Sequence, residues 1–156
     1  QNAHEKENHT PLHLAGKYHA WQSAWWLVKQ GADLSIKDAY GFTPLGRLIS
    51  NLSSNFGTNQ SHLTHTEEQS QQIIKVFDAV TERGEAIDLI YLARQSIWVR
   101  SSTLLGYALE HGCDPNAIPR FLNHPLLHET AKQGWFAGYD VLVGAGASPL
   151  RLGELG

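Results

Sequence analysis

The 156-residue sequence predicts an all-α protein, a solenoid built from stacked antiparallel helix pairs. A Thr-Pro-Leu sequence beginning at Thr10 recurs at Thr43, 33 residues later, and a period of this length is typical of repeat architectures. A second recurring element is a triplet of Gly, a small residue and Asp or Ser, which begins at Gly31, Gly112 and Gly146. A glycine of this kind commonly ends a helix in the left-handed conformation. Together the two elements predict helices that begin and end in register.

The composition excludes several classes of function. Hydrophobic residues make up 42% of the chain, as in ordinary globular domains, while only 17% are charged and the formal net charge is −3. Non-specific nucleic-acid binding needs a basic face, and no cluster of Lys and Arg is present. The longest apolar runs fall far short of the ~18 residues that cross a membrane. We therefore expect no nucleic-acid partner, no membrane partner, no cofactor and no small-molecule substrate for this chain.

The cysteine and methionine contents bear on the cellular compartment of the protein and on whether the chain is a fragment. Cys113 is the only cysteine, so no internal disulfide can form, which fits a reducing compartment such as the cytoplasm. The chain contains no methionine, even at position 1, which indicates a piece of a longer protein.

The first repeat shows the physical basis of one helix pair. Thr10 can cap a helix, and a proline is tolerated in the first turn because the missing N–H has no helical partner there. A second helix is predicted from Trp21 to Gln30, since its apolar residues share one face. These residues are Trp21, Ala24, Leu27 and Val28, and Trp26 is assigned to the same core face. Small residues at Ala15 and Gly16 are expected to let the paired helix approach closely.

An extended finger is predicted between consecutive helix pairs. The segment from Asp38 to Gly41 has the composition of a tight turn, and Gly41 can adopt positive φ without strain. The matching positions in the first and last repeats hold Asn8 and Asn123. Asparagine is the next most tolerant residue for that conformation, so we expect turns there as well.

The middle of the chain departs from the regular period. The excess length of the second repeat falls in residues 52–65, a polar run that predicts a mobile surface loop between two helices. Thr66 and Gln69 then have capping-box spacing and predict a new helix start. The third repeat has only a few residues between Gly84 and the next apolar stretch, so its finger is predicted to be short or absent.

These elements resemble the ankyrin-repeat family over most of the chain. The hexapeptide Thr-Pro-Leu-His-Leu-Ala that starts at Thr10 matches the ankyrin signature, and Leu-His-Glu-Thr-Ala from Leu127 repeats its pattern. The resemblance implies a single ankyrin-repeat domain over residues 1–156 with short β-hairpin fingers. The repeats are then placed at residues 4–36, 37–86, 87–117 and 118–150. It also implies a structural role for His13 and His128, whose side chains would bond the backbone of the neighbouring finger.

The resemblance further implies a protein partner, bound at the finger tips and along the concave face of the first helices. Carried over by position, the predicted contact residues are Lys17, Tyr18, Lys37, Tyr40, Phe42, Ser50, Asn51, Phe121, Leu122, His124, Lys132 and Gln133. Several of them are aromatic or apolar where exposure is expected, and such residues are typical anchors of interfaces.

Two wider hypotheses concern the parent protein. Degenerate repeats, the inserted segment and a composition rich in Gln, Asn and His resemble secreted effectors of intracellular bacteria, such as those of Legionella. That resemblance implies a host protein as partner and the host cytoplasm as location, while an ordinary eukaryotic scaffold is the other possibility. The rival function is a targeting domain for a multidomain enzyme whose catalytic domain lies outside this chain.

Three groups of residues suggest chemistry but have a simpler structural interpretation. His62 and His65 lack a second ligand pair at zinc-site spacing, so a solvated loop is favoured over a metal site. Cys113 replaces the small central residue of the closing triplet and is interpreted as a buried thiol, with no catalytic role expected. Trp25 takes a position that is usually polar, so it either packs on a neighbouring segment or marks a second contact surface.

Overall fold

The computed structural model describes residues 9–53, 66–120 and 122–149, and within these ranges the chain forms eight α-helices and no β-strand. The helices are Pro11–Lys17 (α1), Trp21–Lys29 (α2), Pro44–Ser50 (α3), Glu67–Glu82 (α4), Leu89–Trp98 (α5), Ser102–Glu110 (α6), Leu126–Lys132 (α7) and Phe136–Gly144 (α8). The chain divides into two compact units. The first contains α1, α2, α3 and α4 from Gln71 onward, and the second contains the start of α4 together with α5 to α8.

The first helix of the first unit begins as the sequence predicts. Thr10 is extended and its hydroxyl accepts a hydrogen bond from the backbone N–H of His13, with Pro11 in the first turn. The Thr10 N–H in turn donates to Nδ1 of His13 over 3.1 Å, which completes a reciprocal capping box. Thr43 caps α3 in the same way by accepting from the N–H of Gly46. The recurring Thr-Pro pair is therefore a repeated helix start.

The core of the first unit is formed by one stripe from each helix. Trp21, Ala24 and Val28 of α2 are buried, as the helical spacing predicts. The other buried apolar residues include Leu12, Leu45, Leu48, Ile49, Leu52, Ile73, Val76, Phe77 and Val80.

Two expectations about this core are wrong. Trp26 is 56% exposed and does not belong to the core face. At 3.6 residues per turn it lies about 160° around the helix from both Ala24 and Val28, on the side opposite the buried stripe. Gly16 does permit a close approach, but its neighbour is α3 of the next pair. A Cβ at Gly16 would stand 3.1 Å from the Cα of Leu48.

The exposed loop that was expected at residues 52–65 does not begin at Leu52. Asn51–Ser53 forms a turn of 3-10 helix, and Leu52 is completely buried, because this turn continues α3 into the core. Residues 54–65 lie outside the described residues, so the remainder of that prediction stays untested. The predicted capping box after it is present. Thr66 accepts from the N–H of Gln69 over 3.2 Å, and the Gln69 amide oxygen accepts from the Thr66 N–H over 3.0 Å.

The second unit repeats the same local devices with different residues. Asp88 caps α5 by accepting from the N–H of Tyr91, and Ser101 caps α6 by accepting from the N–H of Leu104. Residues 85–88 form no regular structure, in agreement with the short or absent finger predicted for the third repeat. Buried residues of α5 to α8 form the core, among them Leu92, Ile97, Leu104, Leu105, Ala108, Leu126, Leu127 and Leu142.

Left-handed residues mark the ends of the helices. The glycines that close the second helices have positive φ, for example Gly31 at +88° and Gly146 at +106°. The turns inside helix pairs use a second set, in which His19, Arg100 and Gly134 have φ values of 55°, 54° and 66°.

Asparagine does not take the left-handed position in the last finger. Asn123 is absent from the left-handed residues of the described chain, so the left-handed conformation expected at that position is wrong, although the chain bends there. The carbonyl of Ala117 instead accepts a hydrogen bond from the N–H of Leu126 over 3.2 Å. Asn8 lies outside the described residues.

Candidate functional site: the finger and its neighbouring helix faces

The finger of the first unit is a tight turn closed by its own backbone. The N–H of Gly41 donates to the carbonyl of Asp38 over 3.0 Å, and the N–H of Asp38 donates to the carbonyl of Phe42 over 2.9 Å. Gly41 has φ +84°, which confirms the predicted need for a left-handed residue. The finger is thus a turn without β-strands, because the backbone hydrogen bonding between its two sides does not continue beyond Asp38 and Phe42 in the described residues.

The Asp38 side chain holds this turn from inside. Its Oδ1 accepts hydrogen bonds from the backbone N–H groups of Tyr40 at 2.9 Å and Phe42 at 3.0 Å. Its Oδ2 accepts from Nε of Arg47 in α3 at 2.9 Å. The carboxylate is fully buried, and the Nε2 atom of His9 lies 3.6 Å from Oδ2. One buried carboxylate therefore joins the finger to the helix that follows it.

Opposing effects determine the pKa of the Asp38 carboxyl. Burial raises it, but the hydrogen bonds from Arg47 and from the N–H groups of Phe42 and Tyr40 together outweigh burial and hold the pKa below its usual value. Asp38 is consequently ionised at neutral pH and pairs with the guanidinium.

Arg47 connects the buried ion pair to the surface aromatics. Its guanidinium carbon lies 4.4 Å from the ring centre of Phe42 and 5.4 Å from that of Tyr40. Both distances are within the range of cation–π attraction. Tyr40 is nevertheless 67% exposed, so its ring is oriented by contacts on one side and open to solvent on the other. The roles of Asp38 and Arg47 were not predicted, although an acidic residue in a turn and a basic residue in the next helix are a usable signal.

His13 ties the preceding helix to the same finger. Its Nδ1 accepts from the Thr10 N–H, which places the ring proton on Nε2 and lets that atom donate to the carbonyl of Phe42 over 2.9 Å. The predicted structural role of His13 is confirmed. His128 occupies the matching position in α7, but its Nδ1 has no hydrogen-bond partner in the described part of the chain. Its ring centre lies 6.0 Å from that of His124, as the ring centre of His13 lies 5.9 Å from that of His9. The finger that His128 was predicted to bond lies outside the described residues, so that prediction stays untested.

The contact residues predicted in the first unit differ in their accessibility. Three of the seven, Tyr18, Lys37 and Tyr40, are exposed. The other four are half-buried, namely Lys17, Phe42, Ser50 and Asn51. The Ser50 hydroxyl donates to the carbonyl of Arg47 over 3.1 Å, and the Asn51 carbonyl lies 2.6 Å from Nε2 of His19.

The second unit carries the other predicted contact residues. Phe121 lies outside the described residues; Lys132 is exposed; Leu122, His124 and Gln133 are half-buried. The His124 Nε2 atom lies 3.6 Å from the buried carboxylate of Glu129, and the Gln133 amide donates to that carboxylate over 3.2 Å.

Cys113 has the environment of a structural thiol. It is 6% exposed, and burial raises its pKa to about 11, with the negative charges of Asp114 and Asp88 acting in the same direction. A nucleophilic cysteine needs the opposite shift, because only the thiolate attacks. The predicted structural interpretation therefore holds.

The described residues contain neither a group of metal-binding side chains nor a membrane-spanning helix. No group of three or more His, Cys, Asp or Glu residues there could hold a metal ion, while His62 and His65 lie outside those residues. Of the helices described, none is both long and apolar enough to cross a membrane.

Solved structures resemble this chain in fold. The ankyrin repeat domain of Bcl-3, a member of the IkappaB protein family, matches with a TM-score of 0.50 and 18% sequence identity. The match covers 91% of this chain and 74% of that one. The human ASB11 ankyrin repeat domain has a TM-score of 0.44 and 15% identity over 95% of this chain and 89% of its own. No protein-family profile matches the sequence. The likeness to Bcl-3 confirms the predicted all-α ankyrin-repeat fold.

Proposed function

We propose that this chain is a protein-binding module whose principal contact element is the finger that carries Tyr40. The observation that supports this most directly is an exposed aromatic side chain at the tip of a turn held by a buried carboxylate. An aromatic ring of this kind has a large apolar surface and a polar hydroxyl, and both gain from burial against a partner. Because the turn is already ordered, binding costs little conformational entropy.

Within each unit, the proposed contact surface follows the residues carried over from the family resemblance. In the first unit it includes the exposed Tyr18 and Lys37 and the half-buried Lys17, Phe42, Ser50 and Asn51. In the second unit it includes Leu122, His124, Lys132 and Gln133. Phe121, predicted in the finger of the last repeat, is also proposed as a contact residue. In the first unit, the exposed Tyr18, Lys37 and Tyr40 favour a partner that offers an apolar pocket and acidic residues.

We also propose that the partner is a host protein bound in the cytoplasm, with the parent protein acting as a secreted effector. The charge-poor composition rich in Gln, Asn and His, the degenerate repeats and the inserted segment support this origin. In this proposal any enzymatic activity is carried by other domains of the parent protein, and the buried Cys113 thiol with its raised pKa has a structural role.

Site-specific photo-crosslinking tests the proposed surface. A photoreactive amino acid at position 40 should crosslink a discrete protein from host-cell lysate. The same amino acid at position 136 should not, because Phe136 is 76% exposed but lies outside the proposed surface. The crosslinked protein would then be purified and titrated with the wild-type chain and its variants.

The titration distinguishes contact residues from structural ones. Truncating a true anchor typically costs 2 kcal/mol or more, so Tyr40→Ala should weaken binding about thirtyfold. Phe136→Ala and Cys113→Ser should bind like wild type once circular dichroism shows that they are folded. Unchanged affinity of Tyr40→Ala, or loss of binding from Cys113→Ser alone, would contradict the proposal.

A further inference from the structure

A groove between α2 and α4 in the first unit is lined by three tryptophans. Its lining residues are Trp21, Gln22, Trp25, Trp26, Gln72 and Lys75, and its volume is about 370 Å³. Trp25 and Trp26 are 40% and 56% exposed, which is unusual for two adjacent indoles. Residues four apart are neighbours on a helix, so the pairs Trp21/Trp25 and Gln22/Trp26 form two adjoining rows. The groove lies on second helices and is separate from the finger.

Among the described residues that line the groove, several carry hydrogen-bond donors and none carries a carboxylate. The indole N–H groups of Trp25 and Trp26 form no hydrogen bond within the described residues, and indole nitrogen can only donate. Lys75 is exposed and contributes an ammonium group that makes no ion pair with the described part of the chain. A second ammonium, that of Lys29, lies 6.0 Å from the ring centre of Trp25 and is paired with Glu82 over 2.7 Å. The groove therefore suits an apolar ligand that supplies acceptors and negative charge.

We propose that this groove binds a proline-rich segment of another protein, in the polyproline II conformation, with acidic residues beside the prolines. Polyproline II has no internal hydrogen bonds, so its backbone carbonyls are free to accept from indole N–H, amide and ammonium groups. Proline has no N–H and leaves no donor unsatisfied in the groove, and its ring packs on flat aromatic side chains. Acidic flanking residues complement Lys75, which lies in a lining without any acidic side chain.

Other occupants fit these groups less well. An amphipathic helix has satisfied its own carbonyls and would leave the indole donors of Trp25 and Trp26 unpaired. A cationic ligand would approach Lys75, and the described lining residues provide no carboxylate to compensate.

The test uses the full chain, labelled with ¹⁵N, and synthetic peptides. The probe is roughly nine prolines, or three turns of polyproline II, with glutamates at both ends. One control peptide has lysines in place of the glutamates, and the other has alternating glycine and serine in place of the prolines. We expect the glutamate-flanked proline peptide to shift the indole N–H signals of Trp25 and Trp26 in a saturable manner, with weaker binding of both controls.

Variants of the groove and of an exposed tryptophan elsewhere sharpen the test. Trp26→Ala should weaken peptide binding about thirtyfold, as expected for an interface anchor. Trp98→Ala is the matched control, because Trp98 is 51% exposed and lies outside the groove, and it should leave binding unchanged. Lys75→Glu should weaken binding of the glutamate-flanked peptide and strengthen that of the lysine-flanked one. Tyr40→Ala should have no effect, which separates this groove from the finger surface.

Three results would overturn the proposal. The first is the absence of saturable shifts with the proline peptide, and the second is equal binding of the glycine-serine peptide. The third is concentration-dependent dimerisation in sedimentation equilibrium that Trp26→Ala abolishes and Trp98→Ala preserves. That result would identify a second copy of this chain as the occupant.

Discussion

Replacing Arg47 by methionine is the most direct test of the finger's support. The guanidinium of Arg47 bonds the buried Oδ2 of Asp38 over 2.9 Å and lies against the rings of Phe42 and Tyr40. Methionine retains much of the aliphatic stem and its packing, but it removes the charge and the donors. The Asp38 carboxylate would keep its two backbone N–H partners and lose its only strong cationic one within this network.

The magnitude follows from the burial of the two side chains. Removing one partner of a fully buried ion pair costs about 3–5 kcal/mol, because the other charge is left uncompensated. Here the Asp38 side chain is 0% exposed while that of Arg47 is 18% exposed, so water partly reaches the pair. The two remaining N–H donors also stabilise the carboxylate. We therefore expect Arg47→Met to lower the free energy of unfolding by about 2–3 kcal/mol.

Urea denaturation of a double-mutant cycle measures this effect. The cycle compares wild type, Arg47→Met, Asp38→Asn and the double variant, and the coupling energy should be about 1–3 kcal/mol, as for other residues in one network. Asp38→Asn keeps an oxygen for the backbone N–H groups but turns an amide donor toward the guanidinium. Additive effects, or an Arg47→Met variant within 0.5 kcal/mol of wild type, roughly the limit for an uninvolved surface site, would refute the network.

The same pair has a defined dependence on pH. The pKa of Asp38 is lowered below its ordinary value of 3.8, so its stabilisation is complete above that pH. It is lost as the pH falls through the lower pKa of the folded state. The stability difference between wild type and Asp38→Asn should therefore be constant near neutrality and shrink below pH 3.8.

Three further substitutions test separate parts of the fold by thermal or urea unfolding. Gly41→Val should lower the free energy of unfolding by about 2–3 kcal/mol through its positive φ alone, because nothing lies within 4 Å of the added Cβ. The control Gly106→Ala lies in a helix, also with nothing within 4 Å of the added Cβ, and should stabilise the protein by about 1 kcal/mol. Equal melting temperatures of the two variants would refute the assignment of Gly41 to the turn. Gly138→Ala should destabilise by about 1–3 kcal/mol, since its Cβ would overlap the buried ring of Trp135, and unchanged stability would show that the ring moves freely. Leu52→Ala should cost about 2–5 kcal/mol as a core truncation, whereas a loop residue would cost almost nothing.

Local rules were sufficient to predict the helix starts and the glycine turns. Thr10 needs only a hydroxyl and a proline after it to define a helix start, and Gly41 needs only the absence of Cβ to define a turn. These effects act within four residues of chain, so the sequence contains all of the information. The role of His13 came from the family resemblance, and the bond to the Phe42 carbonyl supplies its physical reason.

Two of the three wrong expectations about the first unit depend on which elements pack together. Apolar content suggested a core position for Trp26, but its angular position on α2 places it away from the buried stripe. The polar run after α3 suggested that Leu52 begins a loop, whereas a 3-10 turn carries it into the core. Gly16 was expected to contact α2, and its close neighbour is Leu48 of α3. The outcomes at Leu52 and Gly16 are decided by tertiary contacts beyond the range of any local pattern, whereas helical periodicity alone places Trp26 opposite Ala24 and Val28.

The finger separates residues that hold its shape from residues that are free to contact a partner. His13 fixes the carbonyl of Phe42 from one side, and Asp38 fixes the N–H groups of Tyr40 and Phe42 from within and reaches Arg47 on the other side. The exposed Tyr40 ring takes no part in these hydrogen bonds. A substitution at Tyr40 should therefore change affinity and lower stability by no more than about 0.5–1 kcal/mol, the size of an exposed cation–π contact. Arg47→Met should lower stability by more and weaken binding through disorder of the turn. If instead Tyr40→Ala lowered the melting temperature as much as Arg47→Met, the ring would be structural and the contact surface would have to lie elsewhere.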